Sequence, residues 1–479
     1  MMAGSFWTIS MRWSMRLLGF VSTAILARIL LPSEYAVIAM AYLVIGLLES
    51  FFDFGVETAL IRKPEVDDAF INSAWSLRVV EGLAIGTLVV LLSPLATLYF
   101  KDSRVAPVLW TLAFCIALGG TSNIGIMLAR KNLDFSLEFK TQLIAKVLQV
   151  IVTIAAAYYF RDYRGLVIGI LTGYGTGWCL SYVMHSYRPR WNRSGFTEIW
   201  AVTRWLMLSN VARFLVRKAD ELAAGRIGTS AQFGAYNVGA DLGQLPTGEV
   251  GPAILKAFFP VLSSIQHDAP RVKSGVLKVM AIVNSITLPA GIGLAAVAAP
   301  MTLLVLGPNW GGAVPFVKIF GLVGAAQVAG QPLSTLLVMR GFTKLQSRIV
   351  WFEAAVFIVT SMLLVPTMRL EGLAVARLCG AIASFGLLSL ECQRNCALQM
   401  WLIASTIWRP LSAAAIMFAV VSWMLIKFSK IFLALPLAIF TGAICYMFLM
   451  LTSWHLIGRP TGLEQEVTQF LNARLKGHE

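Results

Sequence analysis

Charge is scarce in this 479-residue chain: Asp, Glu, Lys and Arg make up 13% of it, against 58% hydrophobic residues. A soluble domain carries about 25% charged and ~45–50% apolar residues. A water-soluble protein is therefore excluded, and the apolar content also excludes an intrinsically disordered chain. The polar linkers that divide a long soluble chain into domains are missing. Histidine is down to His185, His267, His455 and His478, none with acidic or cysteine partners at metal-ligand spacing, so no metal site and no cofactor is expected. The six cysteines sit mostly in apolar runs and read as small core residues. No Gly-Lys-Ser/Thr loop cradles a phosphate, which excludes an ATPase. No nucleophile elbow and no outer loop long enough for a catalytic domain is found, so an enzyme is not expected.

What is present is a succession of apolar runs, each long enough to cross ~30 Å of hydrocarbon with ~20 residues. Phe6 to Leu31 is read as the first span, with Arg12, Arg16 and Arg28 inside it, rather than as a cleavable signal. Spans follow near 34–58, 74–99, 105–129, 141–160 and 164–187. A second series lies near 200–226, 231–259, 276–306, 313–339, 346–366 and 370–391. Two more are placed near 409–428 and 431–456. The expected fold is an all-α polytopic membrane protein with about fourteen transmembrane helices. The net charge of +15 reads as orientation, not nucleic-acid binding. Arg130, Lys131, Arg188, Arg190, Arg193, Arg340 and Lys344 gather in alternate loops, which puts both termini in the cytoplasm.

The two series resemble each other. Ala27-Arg-Ile-Leu-Leu-Pro-Ser-Glu-Tyr-Ala36 aligns without gaps on Gly225-Arg-Ile-Gly-Thr-Ser-Ala-Gln-Phe-Gly234, and Arg164-Gly-Leu-Val on Glu371-Gly-Leu-Ala. This predicts two pseudo-symmetric six-helix lobes, 1–197 and 198–397. Two additional helices occupy 398–457, and a cytoplasmic amphipathic tail 458–479 carries Leu463, Val467, Phe470, Leu471 and Leu475 on one face. Six helices per lobe give both the same orientation. Such pairs suit a transporter that binds substrate between lobes and alternates access by rocking.

Charges inside spans are costly and face an interior or a water-filled cavity. Arg12 lies about 9 Å from the helix start and Arg16 about 15 Å, on one face. The counterpart helix carries Arg213, Arg217, Lys218, Asp220 and Glu221. Arg217 has Asp220 and Glu221 within one turn and reads equally well as an intrahelical pair. Arg213 has no acid three or four positions away and sits near mid-depth. Arg12, Arg16, Arg213, Arg217 and Lys256 are the candidates for an anion-binding cavity, because guanidinium forks suit phosphate. Arg78 is a looser candidate that pairs with Glu81 at i+3. Glu49, Asp53, Glu81, Asp241 and Glu249 are candidates for ion coupling or counter-charge. Pro246, Gly248, Gly251 and Pro252 should kink or unwind their helix as a hinge.

Several motifs carry a family likeness. The segment 27–36 resembles the first-helix exit of the polysaccharide-transport (Wzx-type) flippases of the multidrug/oligosaccharidyl-lipid/polysaccharide (MOP) superfamily, with Ala36 where that family has Gly. Asp53-Phe-Gly-Val-Glu-Thr-Ala-Leu-Ile61, Ala219-Asp-Glu-Leu-Ala-Ala-Gly-Arg-Ile-Gly228 and Phe259-Pro-Val-Leu262 resemble further motifs of that family. The resemblance implies a MATE/MOP-like fold and a flippase in the bacterial inner membrane. Its implied substrate is an oligosaccharide repeat unit on undecaprenyl pyrophosphate, a precursor of exopolysaccharide or lipopolysaccharide. Membrane lipids, a polysaccharide polymerase and a chain-length regulator are the implied partners. Three rivals stay open: a multidrug cation exporter, a peptidoglycan-precursor flippase, and a membrane glycan polymerase or acyltransferase.

Overall fold

The computed structural model describes residues 2–63, 66–265, 268–427, 431–458 and 462–465, and all regular structure among them is helical. Contacts divide the chain into two units, 1–234 and 235–479. The first holds α1 (Met2–Ile29), α2 (Pro32–Phe52), α3 (Val56–Arg62), α4 (Asp68–Phe100), α5 (Val105–Gly120), α6 (Gly125–Lys131), α7 (Phe135–Phe160), α8 (Tyr163–Val183) and α9 (Phe196–Ile227), and the start of α10 (Ser230–Ser264). The rest of α10 opens the second unit, followed by α11 (Ala269–Ala296), α12 (Ala298–Val305), α13 (Val314–Met339), α14 (Thr343–Cys396), α15 (Met400–Lys427) and α16 (Ile431–Leu456). Sequence reasoning opens the second repeat with α9, whereas α9 packs on α2, α3 and α4 of the first unit.

Among the described residues nine helices are long and apolar enough to cross a membrane, or ten with the bent pair α5–α6. The difference from fourteen has a chemical origin. The expected spans on α1, α9 and α10 are helical but do not pass that test, and α1 and α9 carry the intramembrane arginines. The 54-residue α14 holds two expected spans across a break at Arg369, whose φ is 49°.

Local chemistry moves several expected ends. The span expected over 34–58 stops at Phe52, because Asp53 Oδ1 accepts the Gly55 N–H at 2.9 Å and Gly55 turns left-handed at φ 56°. The span expected over 105–129 bends by 59° between α5 and α6. The hinge expected at Pro246, Gly248, Gly251 and Pro252 is not an unwound segment: α10 runs as helix from Ser230 to Ser264. Close packing explains part of the glycine content there. A Cβ on Gly251 would lie 2.3 Å from Val328 Cγ1 of α13, and one on Gly243 would lie 2.8 Å from Phe320 Cβ. The expected tail helix lies, apart from residues 462–465, outside the described residues.

In the first unit a glycine seam joins α8 to α7. A Cβ at Gly165 would meet Ala157, one at Gly169 would meet Thr153, and one at Gly173 would lie 3.0 Å from Gln149 Oε1. α1 leans on the same pair, with Leu26 and Leu30 buried against Ala157 and Leu166. In the second unit the core gathers Val276, Met280 and Val283 of α11, Leu333, Leu336 and Leu337 of α13, and Cys392 of α14.

Candidate functional site: a charged cavity within the first unit

The helices of the first unit line an open cavity of about 1400 Å³. Each wall is a helical stripe at i, i+3 or i+4 spacing, which places its polar residues on one face. α2 contributes Tyr42, Glu49 and its C-cap residue Asp53. α4 contributes Arg78 and Glu81, α7 Gln142, Lys146 and Gln149, and α8 Tyr174 and Trp178. Asn210, Arg213, Phe214, Arg217 and Lys218 come from α9. Five cationic side chains thus face three carboxylates.

Neutral groups mediate several of the charge contacts. Arg213 donates to Asn210 Oδ1, and Asn210 Nδ2 donates to Asp53 Oδ2 at 2.9 Å. Asp53 therefore does two jobs, closing the turn at Gly55 and anchoring α9 through Asn210. Arg78, expected to pair with Glu81, donates to Met127 Sδ at 3.7 Å. Lys146 Nζ reaches Gln149 Oε1 at 3.5 Å. Lys218 pairs directly with Glu221 at i, i+3 spacing. Phe214 wedges α9 against α2: a Cβ on Gly46 would lie 2.8 Å from its Cε2.

Two ion-pair clusters at helix ends brace the unit around the cavity. In one, Arg104 Nη1 donates to Glu34 Oε1 at 2.8 Å and Arg104 Nη2 to Asp102 Oδ2 at 2.8 Å. Glu34 Oε2 also accepts the Tyr163 N–H at 2.9 Å, and Asp102 Oδ2 accepts the Ser230 hydroxyl at 2.6 Å. The starts of α2, α8 and α10 and the α4–α5 loop thus meet at one point. Burial alone would push the Asp102 pKa up, but the hydrogen bonds from Arg104 and Ser230 outweigh it and hold it below the usual carboxylate range. In the other cluster, Arg130 of α6 bridges Glu57 of α3 and the buried Glu138 of α7.

The cavity brings together Arg213, Arg217, Glu49, Asp53 and Glu81 from the expected set. Arg12 is exposed on α1, and Arg16 is half-buried there, while among the described residues it is Met15 of that helix that lines the cavity. Lys256, Asp241, Glu249 and the four hinge residues belong to α10 in the second unit. Gln142, Lys146, Gln149, Tyr174 and Trp178 line the cavity as well and are not among the expected residues. Lys146 carried the one usable signal, a cation inside an otherwise apolar span.

Stacked apolar helices lining an open, charged cavity define a multi-pass membrane protein of the transporter class. The chain belongs to the polysaccharide biosynthesis protein family, whose model matches residues 25–315. It is similar to the lipopolysaccharide biosynthesis protein WzxC of Escherichia coli (strain K12), with 23% identity over 347 residues, 71% of this chain and 70% of the relative. It is also similar to the succinoglycan biosynthesis transport protein ExoT of Rhizobium meliloti (strain 1021), with 24% identity over 67% of this chain and 65% of the relative. Among solved structures its fold resembles the lipid II flippase MurJ in an inward closed conformation. The TM-score is 0.75 at 14% identity, covering 94% of this chain and 99% of that one. An inward-facing multidrug resistance MATE family transporter of the MOP superfamily matches with TM-score 0.62 at 13% identity, covering 80% and 94%. The MATE/MOP-like fold expected from the motifs is thus found.

Proposed function

We propose that the protein flips undecaprenyl-pyrophosphate-linked oligosaccharide repeat units from the cytoplasmic to the periplasmic leaflet of the bacterial inner membrane by alternating access. One observation carries this reading: a cavity sized for a glycan head group has Arg213 and Arg217 on one helix face, one turn apart. Paired guanidinium groups suit a pyrophosphate, and the hydrophobic helix exteriors leave the lipid tail in the bilayer. The names of the relatives, a lipopolysaccharide biosynthesis protein and a succinoglycan transport protein, support a polysaccharide precursor as cargo. Two six-helix lobes over 1–197 and 198–397, cytoplasmic termini, and a polymerase and chain-length regulator as neighbours belong to the same proposal. Glu49, Asp53 and Glu81 are the counter-charges available for ion coupling in this cavity, with Asp241 and Glu249 as candidates on α10. Arg12, Arg16 and Lys256 are further candidates for the pyrophosphate, outside the lining of this cavity.

The test is transport in proteoliposomes loaded with a fluorescent oligosaccharide on undecaprenyl pyrophosphate. The parent should expose the glycan on the opposite leaflet, and an Arg213→Ala/Arg217→Ala variant should lose most of that rate. Equal flipping by both would remove the arginines from the proposal, and no flipping by the parent would remove the function. Export of an organic cation is the second reading, favoured by the three carboxylates that share the cavity. Accumulation of a cationic dye that is abolished by Glu49→Gln or Glu81→Gln would establish it instead.

A further inference from the structure

A glycan offers two chemistries at once: hydroxyls around the rim of each ring and apolar C–H faces above and below it. A site that reads sugars needs a fixed aromatic surface with amide or hydroxyl groups beside it. On the α9 wall the aromatic ring, Phe214, is packed against Gly46, and the amide, Asn210, is already engaged between Arg213 and Asp53. The α8 wall has both.

Trp178 and Tyr174 lie one turn apart on the cavity face of α8. The Trp178 indole N–H donates to Thr121 Oγ1 at 3.0 Å, which fixes the ring at the wall. The Tyr182 ring backs it, with centroids 5.5 Å apart. Tyr174 lies over Gly119, whose Cβ position is 3.6 Å from the tyrosine Cε1. Among the described residues no hydrogen bond is made by the Tyr174 hydroxyl. The glycine seam between α7 and α8 also ends here. A Cβ at Gly173 would contact Gln149 at 3.0 Å, but one turn on, at Gly177, nothing lies within 4 Å. Gly177 lines the cavity, so the seam opens into it beside Trp178, with Gln149 at the point where it opens.

We propose that this face of α8, with Gln149 of α7, is the glycan-reading wall of the cavity. Trp178 and Tyr174 stack on a sugar ring, the Gln149 amide and Tyr174 hydroxyl take its hydroxyls, and the slot at Gly177 admits the ring edge. Recognition is then divided by helix: α9 takes the pyrophosphate and α8 the sugar. The inference rests on the proposed flippase function and adds the residues that sense the glycan.

The experiment compares two lipids in the same proteoliposomes, undecaprenyl pyrophosphate carrying a full oligosaccharide repeat unit and undecaprenyl pyrophosphate carrying none. The readout is the ratio of their flipping rates. Trp178→Leu should lower the ratio of repeat-unit to sugar-free flipping about tenfold, the scale of a lost aromatic contact face. Trp178→Phe, which keeps a ring but loses the bond to Thr121, should hold the ratio within about threefold of the parent. Where Trp178→Leu does not assemble, Tyr174→Ala and the slot-filling Gly177→Leu carry the same test and the same expected direction. An unchanged ratio in the assembled variants, or equal losses on both lipids, overturns the glycan wall and leaves the flippase standing. A parent that flips neither lipid overturns the flippase function and this inference with it.

Discussion

Glu34 lies within the Leu31-Pro-Ser-Glu-Tyr35 motif, and its surroundings assign that motif a mechanical role. Its carboxylate accepts Arg104 Nη1 at 2.8 Å and the Tyr163 N–H at 2.9 Å, the latter in the first turn of α8. A hydrogen bond to a charged group contributes about 1.5–3 kcal/mol. The Arg104 side chain is 32% exposed, so water re-solvates much of it when Glu34 is lost and its share falls to about 0.5–1 kcal/mol. Tyr163 N is main chain at a helix start and keeps the larger share. Glu34→Ala should therefore cost about 2–4 kcal/mol. A domain of this size shifts its melting point by about 2–4 °C per kcal/mol, so the first unit should melt on the order of 10 °C lower. Glu34→Gln retains an acceptor for Tyr163 and loses only charge, so it should recover more than half of the shift.

The assay is thermal unfolding of the purified protein in detergent, followed by tryptophan fluorescence. A double-mutant cycle with Arg104→Gln should isolate a coupling of about 0.5–1 kcal/mol. The reasoning fails if Glu34→Ala melts within about 2 °C of the parent. It also fails if Glu34→Gln is as damaging as Glu34→Ala, since the bond to the helix start would then carry none of the stability. In either case the motif would have to act through substrate rather than through α8.

Three further outcomes follow from the same geometry. Asp102 has a depressed pKa in the folded protein, so its contribution is fully present above its unfolded value of about 3.9 and is lost as pH falls through the folded value. Melting points should show no Asp102-dependent change from pH 7 to 5 and drop below about pH 4, and Asp102→Asn should flatten that acid limb; an unchanged limb refutes the assignment. The Arg409 and Glu464 side chains are both 8% exposed and meet at 2.7 Å, so Glu464→Ala takes this carboxylate from a buried guanidinium whose other hydrogen bonds among the described residues go to the neutral acceptors Met450 O and Ser453 Oγ and should cost about 3–5 kcal/mol; measured in the same melts, a loss under about 1 kcal/mol would show that Arg409 finds water instead. Gly46→Leu should displace Phe214 and with it the arginines of α9, lowering stability by about 1–3 kcal/mol and slowing flipping; Phe214→Ala in the same chain should restore part of both, and absence of rescue in the transport assay removes Phe214 as the wedge.

How far the sequence discloses such a site depends on what each residue must satisfy. Depth along a helix is legible, because rise per residue is constant. Arg213 is placed near mid-depth by counting from Arg204 and Arg226, and it lines the cavity. Which way a side chain faces is decided by tertiary packing, and one position amounts to ~100° of rotation. α1 accordingly presents Met15 to the cavity and not Arg16. The same limit hides Tyr174 and Trp178, since an aromatic at helical spacing in an apolar span has the signature of ordinary packing until the cavity is drawn. Glycine and proline fail differently, because one residue type serves opposed ends. Gly55 breaks a helix through its left-handed φ, and there the local pattern Asp53-Phe-Gly55 announces a turn. Gly251 instead permits Val328 to approach within α10's unbroken length, and nothing local distinguishes it from a breaker. Distance in sequence compounds the problem. The Asp53–Asn210–Arg213 relay spans 157 residues between its first two members, so neither charge can be assigned its partner before α9 is known to lie against α2. The expectation that Arg213 has no acid within one turn is correct, yet its counter-charge is present, one amide away, on another helix.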